Sequence, residues 1–450
     1  MLSAIVLKNF KSYRDATLPL APLTVLIGAN ASGKSNLIEA MRLLSWLAQG
    51  QRLFNIQSAV QDGDRVVRGT VRDLPFQGGR DFGLGARTTA ETWNRFDMTI
   101  TRRQDSEDSS HVSLHVESER IWDAGHSVDL YVLDKPSVGH GTDVAVSYNN
   151  FARGGKKPHV TCTDQAAVFT QLDSPAAFAA SHKQSRERIP AITRELARWL
   201  SNMLFLDAAP AQMREYAFPS DTQLHGSGRN LSAVLFNLWE GGSKKTGEGV
   251  EMNRADILSF IQSLPEQDIA SLSFLHEPRG GVMVALEETF GGVKRQCDAS
   301  LLSDGTLRVL AIAAAMLSAP EGSLVVIEEV DNGVHPSRAS HLLAQIQRIA
   351  RRRQLRVLLS THNPALLDAL PDEAVPDVVF CYRDIEDGSS RLVRLADAPD
   401  YPELIAQGSL GHLMTSGVLE RFIKHHPGAE ARQRQALQWL EQLRAGAING

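Results

Sequence analysis

Gly28-Ala-Asn-Ala-Ser-Gly-Lys-Ser35 is the stretch that decides the fold of this chain. It matches the phosphate-loop pattern G-x-x-x-x-G-K-[ST] at every fixed position. The flanks agree with it. Leu23-Thr-Val-Leu-Ile27 is an apolar, β-rich run that predicts a buried strand, and Asn36 to Leu44 follows at once with helical spacing. Strand, glycine loop and helix together bring backbone N–H groups and a helix N-terminus around a triphosphate. Lys34 is placed to reach the β- and γ-phosphates, and Ser35 to hold Mg²⁺. Gly28, Asn30, Ser32, Gly33, Lys34, Ser35 and Asn36 are the candidate nucleotide contacts at this end of the chain.

Three later stretches complete the pattern. Leu302-Ser-Asp-Gly-Thr-Leu-Arg308 opens a nearly all-apolar helical segment. Leu324-Val-Val-Ile327 reads as a core strand and ends on Glu328 and Glu329. Leu355-Arg-Val-Leu-Leu359 is a second buried-type strand, followed by Ser360-Thr-His-Asn-Pro364. Two acids at a strand end, or one histidine in a loop, need no function by themselves. Their order after the glycine loop gives them one. The chain resembles the ABC-type ATPase head of the SMC, RecF and OLD group. More narrowly, it resembles the bacterial ATPases of anti-phage defence systems such as Septu. The likeness covers residues 1–50 and about 295–385, and Asn9-Phe-Lys-Ser-Tyr13 also fits the opening strand of that group.

The resemblance assigns roles. It implies ATP and Mg²⁺ as cofactors, with Glu328 supporting the metal beside Ser35 and Glu329 polarising the attacking water. His362 senses the γ-phosphate, and Lys34 stabilises the charge that spreads in transfer. Glu328 stands where the wider class has Asp, one methylene shorter. A serine hydroxyl, free N–H groups and the positive end of a helix dipole suit an anion at Ser303 and Gly305. The resemblance adds that this anion is the γ-phosphate bound to another subunit, so a homodimer or higher homo-oligomer is expected. Asp304 and Thr306 depart from the transporter form of this element, and an ordinary helix capped by Ser303 or Asp304 is the plainer alternative.

Composition bounds the rest. The chain has 450 residues, 43% hydrophobic and 22% charged, with a formal net charge of −5. That balance does not suggest wrapping around nucleic acid, although a local basic patch remains compatible with it. No apolar run reaches the ~18 residues of a membrane span, so no membrane partner is expected. Cys162, Cys297 and Cys381 lie in no metal spacing, which fits a reducing, cytoplasmic setting.

The expected fold class is α/β, a P-loop NTPase of ABC ATPase-head type with an antiparallel β subdomain and an inserted helical lobe. Residues 1–163 hold the phosphate loop and antiparallel strands, with loops and short elements over 51–90 and strands near 95–101, 111–116, 127–133 and 144–148. Residues 164–295 form the helical lobe, with helices at 174–181, 190–206 and 253–264. Residues 296–398 complete the core, ending in a hairpin whose turn is Glu386-Asp-Gly-Ser-Ser390. Residues 399–450 form a helical tail, at 404–413, 418–425 and 429–443. No long heptad run is present, so an SMC-type arm is not expected. With 88 residues after His362, the Toprim nuclease domain of OLD proteins is not expected either.

Weaker candidates stay open. Lys11, Ser12 and Tyr13 either approach the nucleotide or merely end a strand. Arg348, Arg351, Arg352, Arg353 and Arg356 either face phosphates or solvate a helix end. Gln165 and Gln171 are equal candidates for the glutamine that links metal to helical lobe. The function this favours is a nucleotide-driven dimerising switch that controls a separate effector, a nuclease or toxin, in anti-phage defence. The alternative is a RecF-like repair or chromosome-maintenance ATPase that binds DNA directly.

Overall fold

Two sequence patterns build two large sheets in the computed structural model, which describes residues 1–56, 66–104, 112–137, 141–152, 154, 156–241, 247–261, 269–290, 293–332 and 335–425. In chain order the strands are β1 (Leu2–Phe10), β2 (Tyr13–Pro19), β3 (Leu23–Ile27), β4 (Asp81–Thr88), β5 (Arg95–Gln104), β6 (Val112–Trp122), β7 (Tyr131–Lys135), β8 (Asp143–Tyr148) and β9 (His159–Thr163). Then come β10 (Leu204–Leu206), β11 (Ile269–His276), β12 (Val282–Phe290), β13 (Val293–Asp298), β14 (Leu324–Ile327), β15 (Arg356–Ser360), β16 (Val378–Arg383) and β17 (Ser390–Arg394). The longer helices are α1 (Lys34–Ala48), α2 (Lys183–Ser201), α3 (Leu231–Glu240), α4 (Gly247–Ile261), α5 (Asp304–Ser318) and α6 (Ala339–Arg352).

The continuous apolar runs make the core sheet, ordered β10-β14-β15-β3-β16-β17 and parallel except for β17 at its edge. Parallel strands buried on both faces need apolar residues at every position. Their period of two then sorts neighbours to opposite sides. Val325, Ile327, Val357, Leu359, Val25 and Ile27 pack towards α3 to α6, whereas Leu324, Val326, Leu358 and Leu26 pack towards α1 and the other large sheet. α5 is buried along almost its whole length, as its all-apolar sequence predicts.

The alternating runs make the antiparallel sheet, ordered β2-β1-β4-β5-β6-β7-β8-β9. A third sheet, β11-β12-β13, lies against the helical side. The fold is therefore of the expected mixed α/β class, a parallel core sheet that carries the phosphate loop beside an antiparallel subdomain. Among the described residues no helix is long and apolar enough to cross a membrane.

Several expected elements differ. The stretch 51–90, expected as loops with short elements, contains the eight-residue β4, which lies within the antiparallel sheet; its Gly83 and Gly85 hide its strand character. Residues 174–181 form only a single tight turn, Pro175–Ala177, capped by Ser174. The helix expected from Pro190 starts at Lys183 and carries the proline inside it, and the expected helix end at 204–206 is β10. The stretch 164–295, expected as a helical lobe, also contributes β11 to β13. The expected helix 404–413 is broken at Gly408 into Tyr401–Ala406 and Leu410–Thr415. The helix expected at 429–443 lies outside the described residues.

Candidate functional site

The parallel strands end on one side of the sheet, where an open α/β fold gathers its ligand-binding loops. β3 runs into the glycine loop there, β14 into Glu328 and Glu329, β15 into His362, and β10 into Asp207. Two loop positions require glycine. Gly28 has φ +146°, and a Cβ on it would stand 2.1 Å from the Cys381 carbonyl oxygen. Gly33 has φ +123°, and a Cβ on it would stand 2.3 Å from Ser390 Oγ.

Side chains from distant segments fasten the loop from below. Tyr13 OH donates to Gly33 O at 3.1 Å, Ser390 Oγ to Ser32 O at 2.5 Å, and Cys381 Sγ to Ser32 O at 3.4 Å. Burial pushes the Cys381 thiol up, so it stays a protonated donor. Lys34 is buried in the loop, and its Nζ donates to Gly28 O at 2.7 Å and Ala29 O at 3.0 Å. Burial lowers its ammonium below the usual lysine value, and the negative charge of Glu329 opposes that shift. Glu329 therefore lies within electrostatic reach of the loop lysine. Asn30 and Ser35 are exposed, while Asn36 is turned away, its Nδ2 donating to Ser12 Oγ at 2.9 Å.

The acidic pair divides its work. Glu328 accepts from Arg42 Nη2 at 2.6 Å. Burial pushes its carboxyl up, Arg42 opposes that shift, and the neighbouring Asp207 and Glu329 add to it. Glu329 adopts φ +49°, an uncommon conformation for a side-chain-bearing residue that concentrates at functional sites. It is held by its N–H to Ser360 Oγ at 3.0 Å, and its Oε2 accepts from Asn332 Nδ2 at 2.5 Å. His362 is exposed beside Thr361, whose hydroxyl donates to Asp331 at 2.6 Å.

The Ser303 element is built differently. Ser303 caps α5, accepting from Thr306 N at 3.1 Å, and both Ser303 and Asp304 are exposed. Arg214 donates to Asp304 Oδ1 at 2.7 Å and to Leu302 O at 2.9 Å, so a cation offsets the acid at this helix start. Ser303 and Gly305 line neither of the two cavities along α1.

The residues present fit a magnesium-bound nucleoside triphosphate. Among the described residues, no side chain caps the first N–H groups of α1, and Ser32 Oγ is buried without a partner. Both features leave donors for an anion at the loop. A cavity of about 460 Å³ beside it brings Ser35, Asp207, Gln212 and Glu328 together. Hard oxygen ligands of this kind suit Mg²⁺.

Other sequence candidates fall elsewhere. Gln165 Nε2 donates to Leu114 O at 3.1 Å, and Gln171 bonds the Thr163 backbone through both ends of its amide. Asp207 and Gln212, which sequence reading missed, take the cavity wall instead. The signal was Leu204-Phe-Leu-Asp207, an apolar run ending on an acid, too short to stand out. Tyr13 is fully buried under Gly33 and presents no face to a base. Lys11 pairs with Glu39. Four of the five arginines are tied down within the chain: Arg348 and Arg352 to Asp256, Arg351 to Glu373, and Arg353 to Met316 O and Ala319 O.

Comparison with known proteins places this site in context. Residues 23–368 match the family model described as "AAA domain, putative AbiEii toxin, Type IV TA system". A DNA replication and repair protein RecF from Nostoc punctiforme is 37% identical over 68 residues, 15% of this chain and 18% of that protein. A chromosome partition protein Smc from Rhodopirellula baltica is 26% identical over 210 residues, 44% of this chain and 16% of that protein. The chain thus spans less than a fifth of these curated relatives. Among solved structures, an Smc head bound to the C-winged helix domain of ScpA aligns over 87% of this chain and 97% of its own, with 14% identity and a TM-score of 0.41. The SMC head domain from Thermotoga maritima aligns over 87% and 98%, with 14% identity and a TM-score of 0.39.

Proposed function

This chain belongs to the AAA-domain family whose model spans residues 23–368, and from that premise we propose that it binds and hydrolyses ATP as a dimerising switch. The observation that carries this is the gathering of Lys34, Glu329 and His362 at the carboxyl ends of β3, β14 and β15. Loop amides and Lys34 would hold the β- and γ-phosphates. Ser35 and Glu328 would support Mg²⁺, which when bound neutralises phosphate charge. Glu329 would orient the attacking water, and His362 would contact the terminal phosphate. Preorganised charge of this kind is the main catalytic resource in phosphoryl transfer. Ser303 and Gly305 of a second copy would close the site from above. The test is Glu329→Gln: its hydrolysis rate should collapse, and its mass in solution should rise with Mg-ATP. An unchanged mass would count against a site shared between two copies.

Within this reading the switch controls a separate effector in anti-phage defence. The family description names a toxin of a toxin–antitoxin system, and the net charge of −5 and intramolecularly tied arginines favour a protein partner over DNA. The second reading is a RecF-like ATPase that binds DNA directly, favoured by the identity to RecF proteins. Strong, salt-dependent duplex binding by this chain alone would select it.

A further inference from the structure

Arg42 lies on α1 about two turns beyond Ser35, and no phosphate-loop pattern includes it. Its guanidinium donates to Glu328 Oε1 at 2.6 Å and lies 5.3 Å from the Phe205 ring centre. Phe205 is the middle residue of β10, which pairs with β14, and Glu328 follows β14 directly. Stacking on one strand therefore aims the guanidinium at the acid that ends the next. Both side chains are largely shielded, with 27% and 21% exposure, so solvent screens this pair less than a surface one.

Two features make this more than a chance ion pair. Glu328 shares its cavity with Asp207 and is followed directly by Glu329, and Arg42 brings a cation into hydrogen-bond contact with it. The Glu328 side chain is also one methylene longer than an Asp at the same position would be. The longer side chain gives its carboxylate reach towards Arg42, and the grip removes the rotamer freedom that the extra bond brings. Arg42 also lines two cavities. One, of about 460 Å³, contains Ser35 and Glu328; the other, of about 430 Å³, contains Trp46 and Asn202.

We propose that Arg42 is a positioning residue for the metal-supporting acid: held on Phe205, it fixes the Glu328 carboxylate beside Ser35 and so ties the Mg²⁺-dependent part of nucleotide binding to the glycine-loop helix. This rests on the nucleotide reading above. It concerns binding, and it can be measured without turnover.

The experiment is titration with a fluorescent ATP analogue, in EDTA and in Mg²⁺, of wild type, Arg42→Ala, Arg42→Lys, Glu328→Gln and the double variant Arg42→Ala/Glu328→Gln. In wild type, Mg²⁺ tightens binding. Arg42→Ala keeps the EDTA affinity and loses roughly tenfold of the Mg²⁺-dependent gain, the scale of one charge-assisted contact. Glu328→Gln loses a similar amount, the double variant loses no more than either single one, and Arg42→Lys recovers part of the gain. Retention of the full gain by Arg42→Ala, or losses that add in the double variant, overturns the proposal. Equal weakening with and without Mg²⁺, accompanied by a lowered melting temperature, assigns Arg42 to packing and overturns it too. A wild type that binds no nucleotide fails the underlying reading instead, a separate and recognisable outcome.

Discussion

The glycine loop and the tip of α5 both end at a helix start, but the first has no side-chain cap whereas the second is capped by Ser303, and they are finished to different degrees. The loop is fastened by Tyr13, Cys381 and Ser390, and a Cβ at Gly28 or Gly33 would collide with that support. The α5 tip is exposed, with Leu301 just before it at 73%, and Arg214 grips Leu302 O and Asp304 there. A region completed from within one chain can hold a ligand alone. A region left open at its working end is suited to closing on something brought from outside.

The sharpest way to break this comparison is Glu329→Gln, which should reduce hydrolysis by roughly a thousandfold while nucleotide binding persists. If hydrolysis continues at the wild-type rate, the strained acid is not the water-orienting group. Next comes Gly28→Ala, which forces a side chain against the Cys381 carbonyl at a left-handed φ. It should cost about 3 kcal/mol in denaturant unfolding and abolish nucleotide binding.

Lys34→Ala sharpens the contrast, because it removes the proposed phosphate contact and two bonds to the loop carbonyls while leaving Tyr13, Cys381 and Ser390 in place. Affinity should fall by roughly a hundredfold, the scale of losing a buried cation from a phosphate site, with no loss of melting temperature near neutral pH. The sign follows from burial. The Lys34 ammonium is held below its ordinary value in the folded chain, so the folded state binds that proton less well than the unfolded one. The resulting penalty is fully present at neutral pH, fades as pH approaches 10.5, and is absent in the alanine variant. The smallest effect is that of Ser303→Ala. Loss of the cap should cost about 1 kcal/mol of stability. Nucleotide affinity of the single chain should be unchanged while nucleotide-driven assembly weakens, as measured by solution mass. A direct loss of single-chain affinity would show that the α5 tip is not reserved for a second copy.

Much of the core was legible because its signals are local. An apolar strand, a glycine loop and a helix follow one another from Leu23 to Ala48, and β14 and β15 announce themselves as unbroken apolar runs ending on polar residues. β10 was read as a helix end because three residues show no periodicity, and with it went Asp207 and the stacking platform for Arg42. β4 was read as loop because its two glycines are tolerated where strands approach closely, a reason invisible without the neighbours. The basic cluster at the end of α6 reads from sequence as either a phosphate face or a solvated helix end, and only Asp256 and Glu373, from other segments, show where Arg348, Arg351 and Arg352 point.

Sequence alone determined the phosphate loop, its strand and helix, and the order of acidic and histidine-bearing strand ends, because strand and helix periodicity and glycine spacing act over a few neighbouring residues. Only the tertiary structure decided what supports them. Ser390 meets Ser32 across 358 residues of chain, and Arg42 meets Glu328 across 286. Contacts at such separations are selected by how the sheets pack, and no local pattern records them.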